Sequence, residues 1–166
     1  MEKEIRIERV AKTELPSLAP LAAAFRVTLK SFKGIAAEAD EAAAAEELRE
    51  YFDAGWPIFA ARLDEVLCGY LVCRVEVPCV WVESLYVLPA YRRRGVASAL
   101  FQKAEELAAS YGEVTVYNCV HPNNDGVIAF LRSRGYTVLN LIELRKPYAG
   151  ETLTTQIPVG SNRFDY

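Results

Sequence analysis

The fold is decided by the stretch Tyr91-Arg92-Arg93-Arg94-Gly95-Val96-Ala97, which joins a predicted strand to a predicted helix. A helix start presents unpaired backbone N–H groups and a partial positive charge, so each arginine there costs a few tenths of a kcal/mol. A bound anion would offset that cost. The small residues Gly95 and Ala97 would let a pyrophosphate approach the backbone. The alternative is a solvated basic turn that begins a surface helix.

The elements on either side of this turn predict an α/β fold. Residues 80–88 are apolar on both faces, as in a central strand, and residues 95–110 have one apolar face at helical spacing. The other predicted strands are residues 5–10, 56–63, 66–77, 113–120 and 136–145, and the other predicted helices are residues 15–30, 38–52 and 123–134. An antiparallel meander followed by a βαβ crossover implies a mixed sheet with helices on both faces.

The composition narrows the class of protein. The chain has 166 residues, which fits a single domain, and the tail from residue 147 is either an extra strand on its own subunit or an arm that pairs with a second one. A net charge of −3 argues against nucleic-acid binding, and the single histidine argues against a His-rich metal site. The four cysteines form no CxxC pair, which argues against a zinc ribbon or a thioredoxin-like redox site. The N-terminus has no apolar region typical of a secretory signal. We therefore expect a cytoplasmic protein with no membrane span and no metal.

Two motifs carry a family resemblance. Residues 82–97, with Arg92, Gly95 and Ala97 at the Q/R-x-x-G-x-G/A positions, resemble motif A of the GCN5-related N-acetyltransferase (GNAT) superfamily. The segment from Asn124 to Tyr136 resembles motif B, with the asparagine eleven residues before Gly135. The fold that this resemblance implies is a mostly antiparallel sheet with one parallel pair, between the fourth and fifth strands.

The resemblance implies that the chain binds acetyl-CoA. Amides from Arg93 to Ser98 would hold the pyrophosphate, and Asn124 would contact the cofactor near its pantetheine arm. The backbone of Leu85 and Val87 would pair with the pantetheine as an added strand does, in a slot between the fourth and fifth strands. The predicted cofactor-binding residues are Leu85, Val87, Arg92, Arg93, Arg94, Gly95, Val96, Ala97, Ser98 and Asn124.

Glu83 is the first candidate for the base that an amine acceptor requires. In strict alternation Glu83 shares an apolar face with Trp81, Leu85 and Val87, where removal from water would make the carboxylate a stronger base. Polyamine-acetylating members of the superfamily have a catalytic glutamate at this spacing, nine residues before the motif arginine. The alternative is a strand glutamate that pairs with an arginine or faces water.

The general acid is less well defined. By resemblance, the Leu85 N–H would donate to the oxyanion, but Leu131 stands where the family commonly has a tyrosine acid. Tyr117, Cys119 or His121 could take that role, although each also suits a packing or loop position.

The predicted function is acetyl-CoA-dependent transfer of an acetyl group to a primary amine by direct attack in a ternary complex. The first alternative is a protein N-terminal or lysine acetyltransferase. The second, suggested by Leu131, is a CoA-binding sensor module without catalysis. The expected partners are a small-molecule or peptide amine and, through the tail, a second copy of the chain. Glu38, Asp40 and Glu41 form either an acidic rim for a cationic amine or a solvated helix start.

Overall fold

The structure is a computed structural model that describes residues 4–166, so the first three residues of the charged N-terminal stretch lie outside the described residues. The chain divides into two compact units, one up to Phe130 and one from Leu131. No helix in the described part of the chain is both long and apolar enough to cross a membrane.

The first unit is built on a five-stranded sheet with the order β1-β2-β3-β4-β5. Its strands are β1 (Ile5–Arg9), β2 (Ile58–Leu63), β3 (Val66–Glu76), β4 (Cys79–Val87) and β5 (Tyr117–Asn118). The first four strands pair antiparallel in sequence order, and β4 pairs parallel with β5. This mixed sheet agrees with the predicted fold class.

Four helices accompany the strands: α1 (Leu15–Phe32), α2 (Glu41–Asp53), α3 (Val96–Ser110) and α4 (Asp125–Ser133). On one face of the sheet, the ring of Phe25 in α1 contacts Tyr70 and Tyr86 at centroid distances of 6.3 and 5.8 Å. On the other face, α3 approaches β3 so closely that a Cβ at Gly69 would lie 3.2 Å from Leu100 Cδ1 and 2.9 Å from the Tyr86 carbonyl oxygen. Helices therefore cover both faces, and only glycine fits at position 69.

Strict alternation in β4 is interrupted by a bulge. Val72 of β3 lies opposite Ser84, but the next residue, Cys73, lies opposite Val82. Glu83 is therefore the extra residue on β4, and side chains on either side of it no longer follow one two-residue period.

Two strand predictions are wrong. The strand predicted over residues 113–120 is reduced to Tyr117–Asn118, and residues 136–145 form no strand. A strand needs hydrogen-bonded partners as well as a suitable local pattern, and apart from Tyr117–Asn118 these residues have no ladder within the described chain. In the second unit, β6 (Gln156–Val159) forms an antiparallel hairpin with β7 (Asn162–Asp165).

Candidate active site

The arginine-rich turn begins α3, directly after β4 and a short 3-10 turn over Pro89–Tyr91. Arg93 and Gly95 both adopt positive φ, at 61° and 85°, and Gly95 is the residue that precedes the helix. The Ala99 amide donates to the Gly95 carbonyl at 3.0 Å. The amides before Ala99 therefore have no acceptor within the helix and face outward beside three exposed arginines. This turn can receive an anion.

Arg92 connects the turn to the end of β4. Its Nε donates to the Val87 carbonyl at 2.9 Å, and its guanidinium lies 5.6 Å from the centroid of the Tyr86 ring. The side chain therefore fixes the path of the chain between strand and turn. The carbonyl of Val87 keeps a second lone pair for another donor.

A gap in strand pairing lies beside the turn. β5 pairs with β4 only at Trp81 and Val82, which lie opposite Tyr117 and Asn118. From residue 83 to residue 87, no described strand pairs with β4 on that side. The backbone groups of β4 there form an open edge, which an extended molecule can join by hydrogen bonds. Leu85 and Val87 lie within this open edge, at the place where the slot was predicted.

Glu83 lies near the start of the open edge, and it shares a face with Trp81 as alternation predicted, but not with Leu85 and Val87. Its Oε2 lies 3.7 Å from Nε of Arg74, whose guanidinium lies 4.6 Å from the centroid of the Trp81 ring. Because Arg74 lies opposite Trp81 across the ladder, Glu83 and Trp81 share a face. Leu85 lies opposite Leu71, on the other face. The predicted face shared with Leu85 and Val87 is therefore wrong, and the bulge is the physical reason.

Tyr117 packs against Trp81, the residue on which Arg74 lies. Its ring centroid is 5.3 Å from that of Trp81, with the planes inclined by 32°. Glu83 and Arg74 are each about one-third exposed, with side-chain exposures of 32% and 31%. A carboxylate, a guanidinium and two aromatic rings thus lie together in a site that solvent partly reaches.

A second polar cluster comes from the first two helices. Nε of Arg26 donates to Glu47 at 2.9 Å, and Nη2 forms a second contact with the same carboxylate. The Tyr51 hydroxyl lies 3.0 Å from both Glu47 Oε1 and Arg26 Nη2. Burial raises the pKa of Tyr51 above its ordinary value, and the charge of Glu83 contributes in the same direction. The two clusters are therefore close enough to interact electrostatically.

The remaining predicted residues lie on the segment after β5. The Asn124 side chain caps α4, since its Oδ1 accepts from the Val127 amide at 3.3 Å. His121 stacks on Phe32 of α1, with a centroid distance of 6.1 Å. Burial, and then the charge of Lys33, lowers the pKa of His121. His121 thus holds a proton less readily than an ordinary histidine and is a poorer general acid than one.

Burial or a hydrogen bond describes the surroundings of three further residues named from the sequence, Leu131, Cys119 and Asp40. Leu131 is buried, with 8% of its surface exposed, and Cys119 is exposed. The Asp40 carboxylate accepts from the Ala43 amide at 2.9 Å, so it caps α2 rather than serving only as an acidic rim. Among the described residues, no group of three or more His, Cys, Asp or Glu side chains is arranged to hold a metal ion.

Sequence reasoning missed Arg74 and the pair formed by Arg26 and Glu47. Arg74 occurs at an apolar strand position after Tyr70 and Val72, which is an available signal for a functional or paired charge. The pairing of Arg26 with Glu47 joins different helices across 21 positions. Spacing alone cannot reveal such a contact.

The chain is similar to known proteins in sequence and in fold. The acetyltransferase (GNAT) family model matches residues 23–136. An uncharacterized N-acetyltransferase of Mycobacterium bovis (strain ATCC BAA-935 / AF2122/97) is 32% identical over 82 residues, which are 49% of this chain and 53% of the relative. The chain thus spans about half the length of the curated relatives it matches.

Two solved structures show similarity in fold. The aminoglycoside N-acetyltransferase AAC(6')-Iy in complex with CoA superposes with a TM-score of 0.67 at 21% identity, covering 88% of this chain and 97% of that one. The ribosomal-protein-alanine N-acetyltransferase of Brucella melitensis biovar Abortus 2308 gives a TM-score of 0.67 at 16% identity, covering 87% of this chain and 100% of that one.

Proposed function

Because the chain belongs to the GNAT acetyltransferase family, we propose that it transfers the acetyl group of acetyl-CoA to a primary amine by direct attack in a ternary complex. The observation that carries this proposal is the open edge of β4 over residues 83–87, which leads through a short turn to the start of α3. One continuous stretch of backbone thus offers hydrogen bonds to an extended chain and then to a pyrophosphate.

The backbone groups along this stretch are arranged to bind the two parts of CoA that carry hydrogen-bonding groups, the pantetheine and the pyrophosphate. The pantetheine would pair with the backbone of Leu85 and Val87, and the pyrophosphate would accept from amides between Arg93 and Ser98. Gly95 has the positive φ that favours glycine, and glycine has no side chain to obstruct that approach. The similar enzyme AAC(6')-Iy was solved in complex with CoA, which supports this assignment by fold.

Glu83 is the proposed base. A lysine-like amine is almost wholly protonated at pH 7, so a base must accept its proton, directly or through one water, before the nitrogen can attack the thioester. That carboxylate lies 3.7 Å from Nε of Arg74, beside Trp81 and at the start of the open edge. The Leu85 N–H is the proposed donor to the developing oxyanion.

Tyr117 is the proposed acid for the leaving thiolate. It lies against Trp81, on the same face as Arg74 and Glu83, whereas His121 lies against Phe32. The depressed pKa of His121 also leaves less imidazolium to donate. A CoA thiolate leaves adequately at neutral pH, so catalysis needs only modest help from an acid.

The proposed acceptor is a small-molecule amine, with a protein amine as the alternative. Among similar structures, AAC(6')-Iy was also solved with the bisubstrate analog CoA-S-monomethyl-acetylneamine. The ribosomal-protein-alanine enzyme supports the protein alternative. A non-catalytic CoA sensor is a second candidate, favoured by the buried Leu131 at the position of the usual acid. A cytoplasmic location stays a prediction from the sequence.

The test combines binding with turnover. Calorimetric titration with acetyl-CoA should show one site, and hydrogen exchange should slow at residues 83–87 and 93–98 in the complex. A panel of amino acids, polyamines, aminoglycosides and peptides, read by release of CoA thiol, should identify an acceptor. Binding and protection without thiol release would support the sensor. Absence of protection at both segments would refute the proposed cofactor site.

A further inference from the structure

A row of stacked side chains crosses the first unit beside Glu83. Arg74 of β3, Trp81 of β4 and Tyr117 of β5 lie opposite one another across the two ladders. The Arg74 guanidinium lies 4.6 Å from the centroid of the Trp81 ring, and the centroid of the Tyr117 ring lies 5.3 Å from it. We call these three residues, together with Trp56, the stacked row.

Trp56 extends the row at its β2 end. The Pro57 carbonyl accepts from the Cys73 amide at 2.9 Å, so the register carries Trp56 to the position beside Arg74. The Trp56 ring also stacks on Tyr51 of α2, with centroids 5.0 Å apart. Both tryptophans of the chain therefore lie in one row next to the proposed base.

α1 does not fill the space above the row. Arg74 alternates with Tyr70, whose ring contacts Phe25, so the row lies on the face of the sheet that α1 covers. The first half of α1 is anchored by buried apolar residues, whereas Leu29 and Phe32, one and two turns beyond Phe25, are only half-buried, as are the rings of the row. Apolar side chains on both walls are therefore incompletely packed, and a space of this kind suits the apolar body of a ligand.

The ring faces in the row are already occupied. Arg74 and Tyr117 lie on opposite sides of Trp81, because β3 and β5 lie on opposite sides of β4. Tyr51 occupies one face of Trp56. A further cation would need a ring face for a cation–π contact, and Trp81 has none to offer. The ring edges instead suit edge-to-face contact with another aromatic ring.

The charges beside the row suit a single cation. Arg74 lies 3.7 Å from the carboxylate of Glu83 and 3.3 Å from that of Glu76, and Arg26 is paired with Glu47. Within this cluster of described residues, three carboxylates and two guanidinium groups leave an excess of one negative charge. One ammonium group neutralises that excess, whereas a compact polycation would bring more positive charge than the cluster can pair.

The acidic residues at the start of α2 lie too far away to change this balance. Tyr51 follows Glu41 by ten residues in α2, which is about 15 Å along a helix. Asp40 precedes Glu41 and caps the helix. A compact acceptor held at the row does not reach these carboxylates.

We propose that the stacked row binds the body of the acceptor, and that the acceptor is a compact aromatic monoamine rather than a polyamine or an aminoglycoside. The aromatic ring packs against the edges of Trp81 and Tyr117, which places the amine at Glu83. This inference rests on the proposed acetyltransferase function and adds the class of amine to it.

The test compares two amines of similar basicity by release of CoA thiol. 3-Phenylpropylamine and propylamine each carry one primary amine, and only the first carries a ring. The value of kcat/KM should be at least about tenfold higher for 3-phenylpropylamine, and it should also exceed the values for spermidine and kanamycin. Equal values for the two monoamines, or a preference for spermidine or kanamycin, overturn the inference and leave the proposed transfer intact, because thiol is still released.

Trp81→Leu should lower the preference for the aromatic amine by at least about threefold. Both monoamines use Glu83, so a displaced carboxylate slows both reactions, and the ratio of the two kcat/KM values isolates the ring contact. Tyr111→Leu is the matched control, because Tyr111 is 38% exposed at the end of α3, which packs on the other face of the sheet. An unchanged ratio in a folded Trp81→Leu variant, or an equal loss in Tyr111→Leu, overturns the inference.

Tryptophan fluorescence of the wild type keeps the test valid if Trp81→Leu does not fold. Because both tryptophans lie in the row, 3-phenylpropylamine should shift their emission to shorter wavelength in the complex with CoA, and the shift should saturate. Propylamine at the same concentrations should give no shift. Absence of the shift with 3-phenylpropylamine overturns the inference. A saturable shift without thiol release from any amine refutes the proposed transfer and supports the row as a binding site for the aromatic amine.

Discussion

Replacing Glu83 by glutamine separates the proposed chemistry from the stability of the fold. Glutamine keeps the shape of the side chain and removes its capacity to accept a proton at neutral pH. Arg74 keeps a neutral oxygen to contact, and its guanidinium also lies 4.6 Å from the centroid of the Trp81 ring. The substitution therefore tests the proton transfer with little change in packing.

The magnitudes of the two effects should differ clearly. Arg74 and Glu83 are 3.7 Å apart and each about one-third exposed, so loss of the ion pair should change the free energy of unfolding by no more than about 1 kcal/mol. Loss of a general base should lower the rate by about 10²–10⁴-fold, or roughly 3–5.5 kcal/mol of barrier. Stability cannot account for that rate loss.

A matched control lies on the same arginine. Nη1 of Arg74 also contacts Glu76, at 3.3 Å, but the Glu76 side chain is 63% exposed at the end of β3. Glu76→Gln removes an ion pair with the same partner and should leave kcat within about twofold, since exposed pairs contribute little.

The assay follows thiol release with the best acceptor of the panel and acetyl-CoA affinity by calorimetry, with urea unfolding for both variants. Glu83→Gln should lower kcat and leave acetyl-CoA affinity unchanged. If Glu83→Gln retains more than half of the wild-type rate, or if Glu76→Gln loses as much, Glu83 is not the base.

Three other predictions concern the turn, the single histidine and the thiols. Gly95→Ala and Gly112→Ala each place alanine at positive φ, at opposite ends of α3, so each should cost about 1–2 kcal/mol of stability. Calorimetry should show weaker acetyl-CoA binding for the Gly95 variant alone, and equal affinities would contradict the anion turn. In an NMR titration, the midpoint of His121 should lie below pH 6.5, because burial lowers its pKa. The neutral side chain therefore contributes to the stability of the fold above that pH, and this contribution is lost as the pH falls through the lowered midpoint. A midpoint above 6.5 would contradict the stated effect of burial. Burial raises the pKa of Cys73 to about 12, so a thiol reagent at pH 8 should label the exposed Cys119 in the native protein and spare Cys73, as peptide mass analysis can show.

The sequence predicts the elements whose signals are local. β1 to β4 and the first three helices lie within a few residues of their predicted positions, because apolar periodicity and glycine punctuation are properties of short windows. Gly95 has the positive φ that suits a backbone approach by phosphate. The motif around it therefore predicts its own local structure.

The sequence does not predict features that depend on distant partners. Residues 113–120 and 136–145 carry strand patterns, yet only Tyr117–Asn118 forms a ladder in the described chain. The bulge at Glu83 has no glycine or proline to signal it. Arg74 and Glu83 meet across two strands, so their contact depends on a register that local pattern does not specify.

The bulge explains why the candidate base and the open edge occur together. On one side of β4 the register with β3 shifts at Glu83, and on the other side pairing with β5 ends at Val82, the preceding residue. A bulge increases strand twist and bends the strand, which carries β4 away from a neighbour that was paired before it. The same extra residue places Leu85 on the opposite face from Glu83 and leaves the Leu85 backbone on the unpaired edge. One irregularity in β4 therefore accounts both for the gap proposed to receive CoA and for the Leu85 and Val87 backbone groups that line it.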